Sequence, residues 1–311
     1  MELLSTIAPP PGSTDRLPAP LPEDAAGRLL DVASFFAAAQ GASPEAPLRP
    51  VRQPRMTLWC GERSASRASL LSPERADALR RDFERGVGPT RAFAESAGVP
   101  AEAVVVSPGL PLEEALSLGI RAADAQADSG VDLALPASLG AGDEEEALAL
   151  LGLLTGKEPV AVLGFHGIAD AAWSERVALV RDLMFKARGH RSSAEDTLRH
   201  HASAAMVALV GYIAQSAARH TPVLLDTTVT CVAACYAEAL APGTKAWLLA
   251  GQLTPHAGHL IATRHLGITP LLALNMPLGM GTGAASTLPL VRAATTLYAR
   301  DRDQDRDHDA A

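Results

Sequence analysis

The segment PLLALNMPLGMGTGA, residues 270–284, carries the pattern that decides the predicted fold. An apolar run over residues 270–274 opens into a glycine-rich segment, and a helical pattern follows over residues 286–298. In a strand, glycine-rich loop and helix of this order, backbone N–H groups and the helix N-terminus can face a phosphate. We therefore expect an anion-facing loop at residues 279–283 of an α/β protein.

Short apolar runs alternate with helical patterns along most of the chain, which is typical of βαβ units and a parallel sheet. The 311 residues suffice for one large domain with a small appendage, and 48% hydrophobic but only 4% aromatic residues suit helices packed on such a sheet. We expect a doubly wound α/β fold with a mostly parallel sheet and with ligands beyond the carboxyl ends of the strands. The predicted strands are residues 56–59, 103–106, 131–135, 159–163, 222–225, 246–249 and 270–274.

Charge, hydropathy and cysteine content argue against several functional classes. A net charge of −8 argues against a nucleic-acid surface. No apolar run reaches the length of a membrane span and the N-terminus lacks the regions of a signal peptide, so we expect a cytoplasmic protein. The three cysteines, Cys60, Cys231 and Cys235, are expected to be free thiols. We expect no metal, because Cys231 and Cys235 lack a second ligand pair, and we also expect no cofactor.

Both chain ends differ in composition from the middle of the chain. Residues 1–50 are predicted to form a proline-rich N-terminal arm and then a helix over residues 24–40. Residues 51–284 are predicted to form a Rossmann-like nucleotide-binding core, and residues 285–299 a C-terminal helix. The alternating Arg and Asp residues of 300–311 predict a disordered, solvated tail.

Four segments together resemble one enzyme family. They are PPGS at residues 10–13, LLD at 224–226, the pair Gly258-His259, and the loop LGMGTGA at 278–284. In this order and approximate spacing they are similar to motifs of the nicotinate-nucleotide:dimethylbenzimidazole phosphoribosyltransferases, which make the lower-ligand nucleotide of cobamides. The resemblance implies a small helical lobe built from both chain ends, and a dimer whose site lies close to the subunit interface.

The chain departs from this family at the position of the catalytic base. The family's reaction displaces nicotinate from C1 of a nicotinate ribotide by a benzimidazole nitrogen, and its loop Leu-Gly-Glu-Gly-Thr/Ser-Gly-Ala supplies a glutamate that removes the azole proton. Here Met280 occupies that position, and a thioether cannot take a proton. Met280 predicts instead an apolar pocket floor that a flat ring can contact. The loop residues that the resemblance implies as substrate contacts are Gly279, Met280, Gly281, Thr282 and Gly283.

A second glycine-rich segment, ASLGAGDEE, matches the family's phosphate loop Gly-Glu-Met-Gly-Ile-Gly-Asn-Thr-Thr. Gly140 and Gly142 are kept, whereas Ser138 replaces the family's additional glutamate. The four residues after Gly142 are carboxylates at a predicted helix N-terminus, where they favour the helix and where Asp143 is expected to be the cap. Like charges this close oppose an anion. Ser138, Gly140 and Gly142 remain implied substrate contacts, although a structural role of the carboxylates is favoured.

Four more residues are candidates, each with an alternative. His166 lies in GFHGIAD, which resembles the family's Gly-Thr-Gly-Leu-Asp-Asp segment. Arg176 falls where the family has a phosphate-contacting lysine, unless it is a solvated arginine on a surface helix. His256 replaces a family glutamate and is a candidate substitute base, unless it is an exposed loop histidine. Asp226 ends a predicted strand, where α/β sites gather, or else caps the helix over residues 228–240.

Two hypotheses about function stay open. The chain is either an active phosphoribosyltransferase for a different lower-ligand base, or a non-catalytic homologue that binds a nicotinate ribotide or an aromatic or azole base, or that pairs with an active paralogue. The missing glutamates favour lost or altered catalysis. A dinucleotide-dependent oxidoreductase is excluded, because the loop lies too near the C-terminus for a following strand and ribose-binding carboxylate.

Assembly is predicted from the resemblance and from one helix. We expect a homodimer, and the alternative is a heterodimer with a homologous subunit. A stripe of small residues over residues 202–218 permits close approach of a second helix from the same chain or from another one.

Overall fold

The computed structural model of the chain describes residues 4–12, 23–43, 46–61, 69–165 and 169–299. Its strands are β1 (Pro54–Cys60), β2 (Ala101–Val105), β3 (Leu133–Leu139), β4 (Val223–Leu225) and β5 (Leu248–Ala250). Within the described residues these strands form one parallel sheet in the order β2-β1-β3-β4-β5. The order reverses at β1, as in doubly wound proteins, so the predicted fold class is confirmed.

Helices connect the strands and cover both faces of the sheet. Within the described residues, none of them is both long and apolar enough to cross a membrane. The helices are α1 (Glu23–Ala26), α2 (Arg28–Ala39), α3 (Pro73–Glu84), α4 (Pro89–Ser96), α5 (Leu112–Asp128), α6 (Asp143–Thr155), α7 (Pro159–Leu163), α8 (Asp170–Lys186), α9 (Ala194–His201), α10 (Ala204–Ala218), α11 (Thr228–Leu240), α12 (Ala257–Leu266) and α13 (Thr282–Leu297). Two 3-10 turns cover Ala187–Gly189 and Thr244–Trp247.

Alternate residues of the strands belong to two separate cores, because successive side chains of a strand point to opposite faces. Trp59 of β1 and Leu225 of β4 belong to the core that contains α5, α6, α10 and α11. Their neighbours Leu58 and Leu224 belong to the core that contains α2, α3, α4 and α13. The sheet is therefore buried on both faces, which leaves its carboxyl edge as the place for a site.

Helices from the two chain ends pack together, as the resemblance implies. Phe36 of α2 and Leu288 of α13 are both buried in the second core, and the two helices contact each other. The predicted helix over residues 24–40 is divided at Gly27 into α1 and α2. Helix α13 begins at Thr282 rather than at residue 286, so it starts inside the glycine-rich loop.

One predicted strand is wrong because its apolar run is a helix. Residues 159–163 form α7, with Pro159 in the first turn and Glu158 extended before it. Proline is well suited to the first turn of a helix, since its missing N–H is not needed there. An apolar run of this length fits a buried helix as well as a strand, so hydrophobicity alone could not decide between the two.

The predicted strand over residues 270–274 is also wrong. The backbone N–H groups of Leu271 and Leu272 donate to Ala250 and Gly251, but the pairing amounts to one isolated bridge, between Leu272 and Gln252, and not to a strand. The segment begins at a proline, which cannot donate to a ladder, and ends at Asn275, whose φ of 55° lies in the left-handed region. It therefore runs beside the chain after β5 without extending the sheet, and the glycine-rich loop does not follow a strand.

The small-residue stripe of α10 packs against α5 of the same chain. A Cβ atom at Gly119 of α5 would lie 1.9 Å from the backbone oxygen of Ala208, and one at Gly211 of α10 would lie 2.6 Å from that of Leu116. Only glycine permits so close a contact between the two helices. Because the stripe is used inside the subunit, it offers no surface for a dimer.

Candidate functional site

The described residues line an open cavity of about 440 Å³ beyond the carboxyl ends of β3 and β4. Ligands of doubly wound proteins bind at this edge of the sheet. The wall combines leucines, the chain that leaves β3, and the loop that precedes α13. The described lining residues are Leu70, Leu71, Leu79, Ser138, Leu139, Gly140, Gly142, Asp143, Glu144, Glu145, Thr227, Val229, His256, Pro277, Leu278, Gly279 and Met280. Both predicted glycine-rich loops therefore meet at one cavity.

The first turn of α13 is occupied by a carboxylate of the chain itself. Asp226, which is 1% exposed, accepts hydrogen bonds from the backbone N–H groups of Gly281 at 2.8 Å, Gly283 at 2.8 Å and Ala284 at 3.0 Å. Burial raises the pKa of the Asp226 carboxyl, and the three N–H bonds oppose that shift. Asp226 thus holds the position at the helix N-terminus where an anion would bind. Three of the N–H groups that were predicted to face a phosphate thus donate to Asp226.

Asp226 does not cap α11 either. That helix begins with a capping box, in which the side chains of Thr227 and Thr230 each accept a bond from the other's backbone N–H. The backbone N–H of Asp226 also donates to the Thr230 hydroxyl, at 3.0 Å. Both proposed roles of Asp226 are therefore replaced by one that the sequence did not indicate, the anchoring of a loop 55 residues later in the chain.

Met280 lies at the apex of the anchored loop and lines the cavity. Its φ of 59° places the backbone in the left-handed region, which is uncommon for a residue with a side chain. The Thr90 hydroxyl donates to the Met280 backbone oxygen at 3.0 Å, and the Thr282 hydroxyl donates to that of Gly279 at 2.8 Å. These contacts hold the loop backbone in this shape, and the side chain that the loop presents to the cavity is the thioether of Met280.

The second loop begins its helix without a capping side chain. Gly142 is the N-cap of α6, with φ 80°, and no described side chain caps it, so the prediction that Asp143 is the cap is wrong. Asp143 instead accepts a hydrogen bond from the Ser138 hydroxyl. Burial raises the pKa of Asp143 to about 7, against the effect of the Ser138 bond and with a contribution from the three following glutamates.

Arg176 is a buried partner of this acidic turn rather than a solvated surface residue. Arg176 is 5% exposed and Glu145 is 1% exposed. The Arg176 Nε donates to Glu145 Oε1 at 2.9 Å, and the same oxygen accepts the Leu70 backbone N–H at 3.0 Å. Burial raises the pKa of Glu145, while the charge of Arg176 opposes that shift. The cation that the resemblance assigned to a phosphate is therefore engaged by a carboxylate.

His256 is also turned towards the acidic segment, and it is not an exposed loop histidine. Its Nδ1 lies 3.1 Å from Oε1 of Glu144, and the two side chains are 18% and 13% exposed. Burial works to raise the pKa of Glu144, but the bond and charge of His256, with Thr228 and Arg176, outweigh it and lower that pKa. The pair lines the cavity, so an imidazole oriented by a carboxylate lies at the site.

His259, three residues later, is a buried structural residue. Burial lowers its pKa to about 4, so the ring is neutral, and its Nδ1 accepts the Thr254 backbone N–H at 3.1 Å. It lies next to the His256–Glu144 pair and keeps the turn before α12 in shape.

The sequence predicted part of this site. The cavity lining includes Ser138, Gly140, Gly142, Gly279 and Met280, whereas Gly281, Thr282 and Gly283 lie in the first turn of α13 without lining it. The prediction for His166 concerns a residue outside the described ranges. The leucines Leu70, Leu71 and Leu79 were missed, because an apolar side chain that will line a cavity has the same pattern as one that will enter a core.

Comparison with known proteins places this geometry in a family. A model of the family described as "Phosphoribosyltransferase" matches residues 108–305. A nicotinate-nucleotide–dimethylbenzimidazole phosphoribosyltransferase of Corynebacterium efficiens is 36% identical over 89% of this chain and 82% of its own length. One of Mycobacterium avium is 34% identical over 94% of both chains. The chain belongs to the nicotinate-nucleotide–dimethylbenzimidazole phosphoribosyltransferase family.

Solved structures agree with this assignment. The crystal structure of CobT from Thermus thermophilus superimposes with a TM-score of 0.81 at 25% identity, over 92% of this chain and 93% of that one. The doubly wound sheet and the loops at its carboxyl edge are thus the family's fold. By the resemblance of the two loops, Met280 and Ser138 are the residues predicted to replace the family's two glutamates.

Proposed function

We propose that this chain is a phosphoribosyltransferase-family protein related to cobamide lower-ligand synthesis that binds the flat aromatic base and has lost the transfer reaction. The observation that carries the proposal is Met280, at the apex of a loop whose backbone is fixed by Asp226 and Thr90. The geometry of a catalytic loop is present, but the group that would take the azole proton is a thioether. The proposed contacts are the lining residues named above, Met280 among them.

A planar base suits the cavity in size and polarity. Its volume of about 440 Å³ lies in the range of about 300–1,000 Å³ common for small-molecule sites. Leucines and Met280 offer an apolar, polarisable surface to a ring face. Asp143 and Glu144 lie in the same wall, and their carboxyl groups accept hydrogen bonds. A flat base with an N–H donor therefore suits both the apolar surface and the acceptors of the lining.

Groups that the resemblance assigns to a ribotide phosphate are already engaged by carboxylates of the chain itself. The N–H groups at the start of α13 donate to Asp226, and Arg176 is engaged by Glu145. The first turn of α6 contains Asp143 and three glutamates, which repel an anion. We therefore infer that the nicotinate ribotide binds poorly, independently of the missing base.

The test of lost transfer is a product assay with nicotinate mononucleotide and dimethylbenzimidazole. We expect no α-riboside phosphate above the uncatalysed level, since general-base catalysis contributes about 10²–10⁴-fold and both glutamate positions are empty of carboxylates. The Mycobacterium avium relative, assayed in parallel, is the control. Product at a rate of about 1 per second or more would refute the loss of catalysis.

Base binding has its own matched test in the loop before Met280. Leu278 lines the cavity, whereas Leu274 does not, and both are partly exposed, at 48% and 38%. We expect Leu278→Ala to weaken dimethylbenzimidazole binding about fivefold through lost apolar contact, and Leu274→Ala to leave it unchanged. Equal effects of the two variants would place the base elsewhere.

A second candidate function, active transfer to a different lower-ligand base, is favoured by the His256–Glu144 pair. An imidazole held by a carboxylate is a common arrangement for a general base. If His256 has this role, a panel of azole bases gives product with the wild type, and His256→Gln abolishes it. Absence of product with every base leaves ring binding without transfer as the function.

We propose a homodimer as the assembly, from the family resemblance alone. The small-residue stripe of α10 gives no support, because α5 covers it. Light scattering of the isolated chain should give twice 32.3 kDa. A monomer at micromolar concentration would favour the alternative, a heterodimer with a homologous, active subunit.

A further inference from the structure

Two histidines and an aspartate converge on the surface of the chain segment between α8 and α10. His190 follows the 3-10 turn Ala187–Gly189, and Asp196 and His200 stand one turn apart on α9. Asp196 Oδ1 lies 3.2 Å from Nδ1 of His200 and 3.8 Å from Nδ1 of His190. The two imidazole rings are stacked with centroids 4.0 Å apart and planes inclined by 18°, so one ring has to rotate before both nitrogens point at a single ion. One ligand atom from each of the three residues lies within 4.8 Å of the other two.

We propose that His190, Asp196 and His200 form a binding site for a divalent transition-metal ion, with Zn²⁺ as the best fit. Two imidazoles and one carboxylate are a ligand set that Zn²⁺ takes in proteins, with bonds of about 2.0–2.2 Å. Tetrahedral ligands at that radius lie about 3.4 Å apart. The separations of 3.2 and 3.8 Å to Asp196 Oδ1 bracket this value. Three protein ligands leave one coordination position for water or a further ligand.

The surroundings orient the carboxylate towards the imidazoles. Ser192 donates to the other oxygen, Asp196 Oδ2, through its hydroxyl at 2.9 Å and its backbone N–H at 3.3 Å. Bonds of this kind to a ligand fix its direction and strengthen a metal site. The buried Thr197 hydroxyl donates to the His190 backbone oxygen at 3.3 Å, which ties the loop to α9. The bond between His200 Nδ1 and the Asp196 backbone oxygen, 3.0 Å, is the one that a metal ion would displace.

The positive charge of the arginine next to His200 does not oppose a cation strongly. Arg199 adjoins His200 in sequence, but its Nη2 lies 2.7 Å from Glu113 and 2.8 Å from Glu195. Its charge is therefore compensated. None of the three ligand residues is among the described residues that line the cavity, so this site does not depend on the proposed base binding.

The test uses the full chain without a histidine tag, titrated calorimetrically with ZnCl₂ and followed by visible absorption with Co²⁺. We expect one ion per chain and the absorption of a tetrahedral Co²⁺ site. His190→Ala and His200→Ala should each weaken binding by at least about tenfold, and Ser192→Ala by about tenfold, as for loss of a group that supports a ligand. His265→Ala, which removes an exposed histidine of α12, should change nothing.

Two results would overturn the site. The first is the absence of a saturable heat with the wild type. The second is unchanged affinity and stoichiometry in both histidine variants, which would show that the ion binds elsewhere on the chain. Because both histidines are largely exposed, at 48% and 39%, the variants should keep the wild-type melting temperature in chelator. A variant that does not is replaced by His→Gln at the same position.

Discussion

The two glycine-rich loops of the cavity share a backbone device but differ in the source of their negative charge. Both helices, α6 and α13, begin after a left-handed glycine, Gly142 with φ 80° and Gly281 with φ 82°. At α13 the N–H groups are satisfied by Asp226, which comes from a different part of the chain. At α6 the negative charge comes from four consecutive residues of the helix itself. Both loops thus keep the backbone shape of an anion-binding loop, while carboxylates of the chain itself supply the negative charge.

The comparison predicts that the largest loss of folding stability follows removal of Arg176, the buried counter-ion of the acidic first turn of α6. Arg176→Met should lower the free energy of unfolding by about 3–5 kcal/mol at pH 7, because Glu145 would remain buried without its partner. Urea unfolding measures this loss. The double variant Arg176→Met/Glu145→Gln should recover much of it. A loss below about 1 kcal/mol for the single variant would show that the pair is not buried in solution.

The loop of α13 should depend on Asp226 to a smaller extent. Asp226→Asn keeps the shape but turns an amide NH₂ towards one of the loop N–H groups, so we expect a loss of about 2–3 kcal/mol. Asp182→Asn, at a side chain that is 61% exposed, is the control and should lose almost nothing. A loss in the first variant no larger than in the control would contradict the anchoring role.

A third substitution, Asp143→Asn, tests the loop of α6 through the pH dependence of folding stability. The folded pKa of Asp143 is raised to about 7, above the unfolded value of about 4, so its ionisation in the folded state costs stability. This cost is absent below about pH 4, grows between pH 4 and 7, and is complete above pH 7. Asp143→Asn should therefore stabilise the chain by about 1–3 kcal/mol at pH 8 and change little at pH 4. An effect independent of pH would contradict the assignment.

The smallest effect, on transfer activity, is expected from substitution of Met280, where the resemblance places the family's catalytic glutamate. Met280→Glu alone should give no transfer, because the acidic turn of α6 still opposes a phosphate across the cavity. Met280→Gln, of nearly the same size, is the control. Turnover by the glutamate variant above that of the glutamine variant would show that the phosphate binds away from α6, and that only the base is missing.

The pattern of the sequence was sufficient for the fold and for the two loops, but not for their partners. Alternation of apolar runs and helices predicted the parallel sheet, and spacing of glycines located the loops. The pairing of Asp226 with Gly281 joins residues 55 positions apart, and that of Arg176 with Glu145 joins residues 31 apart. Such contacts arise only when the sheet brings strand ends together. The acidic residues therefore predicted only favourable charges at a helix N-terminus, whereas Glu145 and Glu146 are each 1% exposed.

The central claim is that the cavity accepts the aromatic base and not the ribotide. Isothermal calorimetry with dimethylbenzimidazole alone and with nicotinate mononucleotide alone tests it most directly, because each ligand is offered without the other and turnover cannot contribute. We predict saturable heat with dimethylbenzimidazole and none with nicotinate mononucleotide up to about 1 mM. Saturable binding of nicotinate mononucleotide, or no heat with the base, would contradict the account.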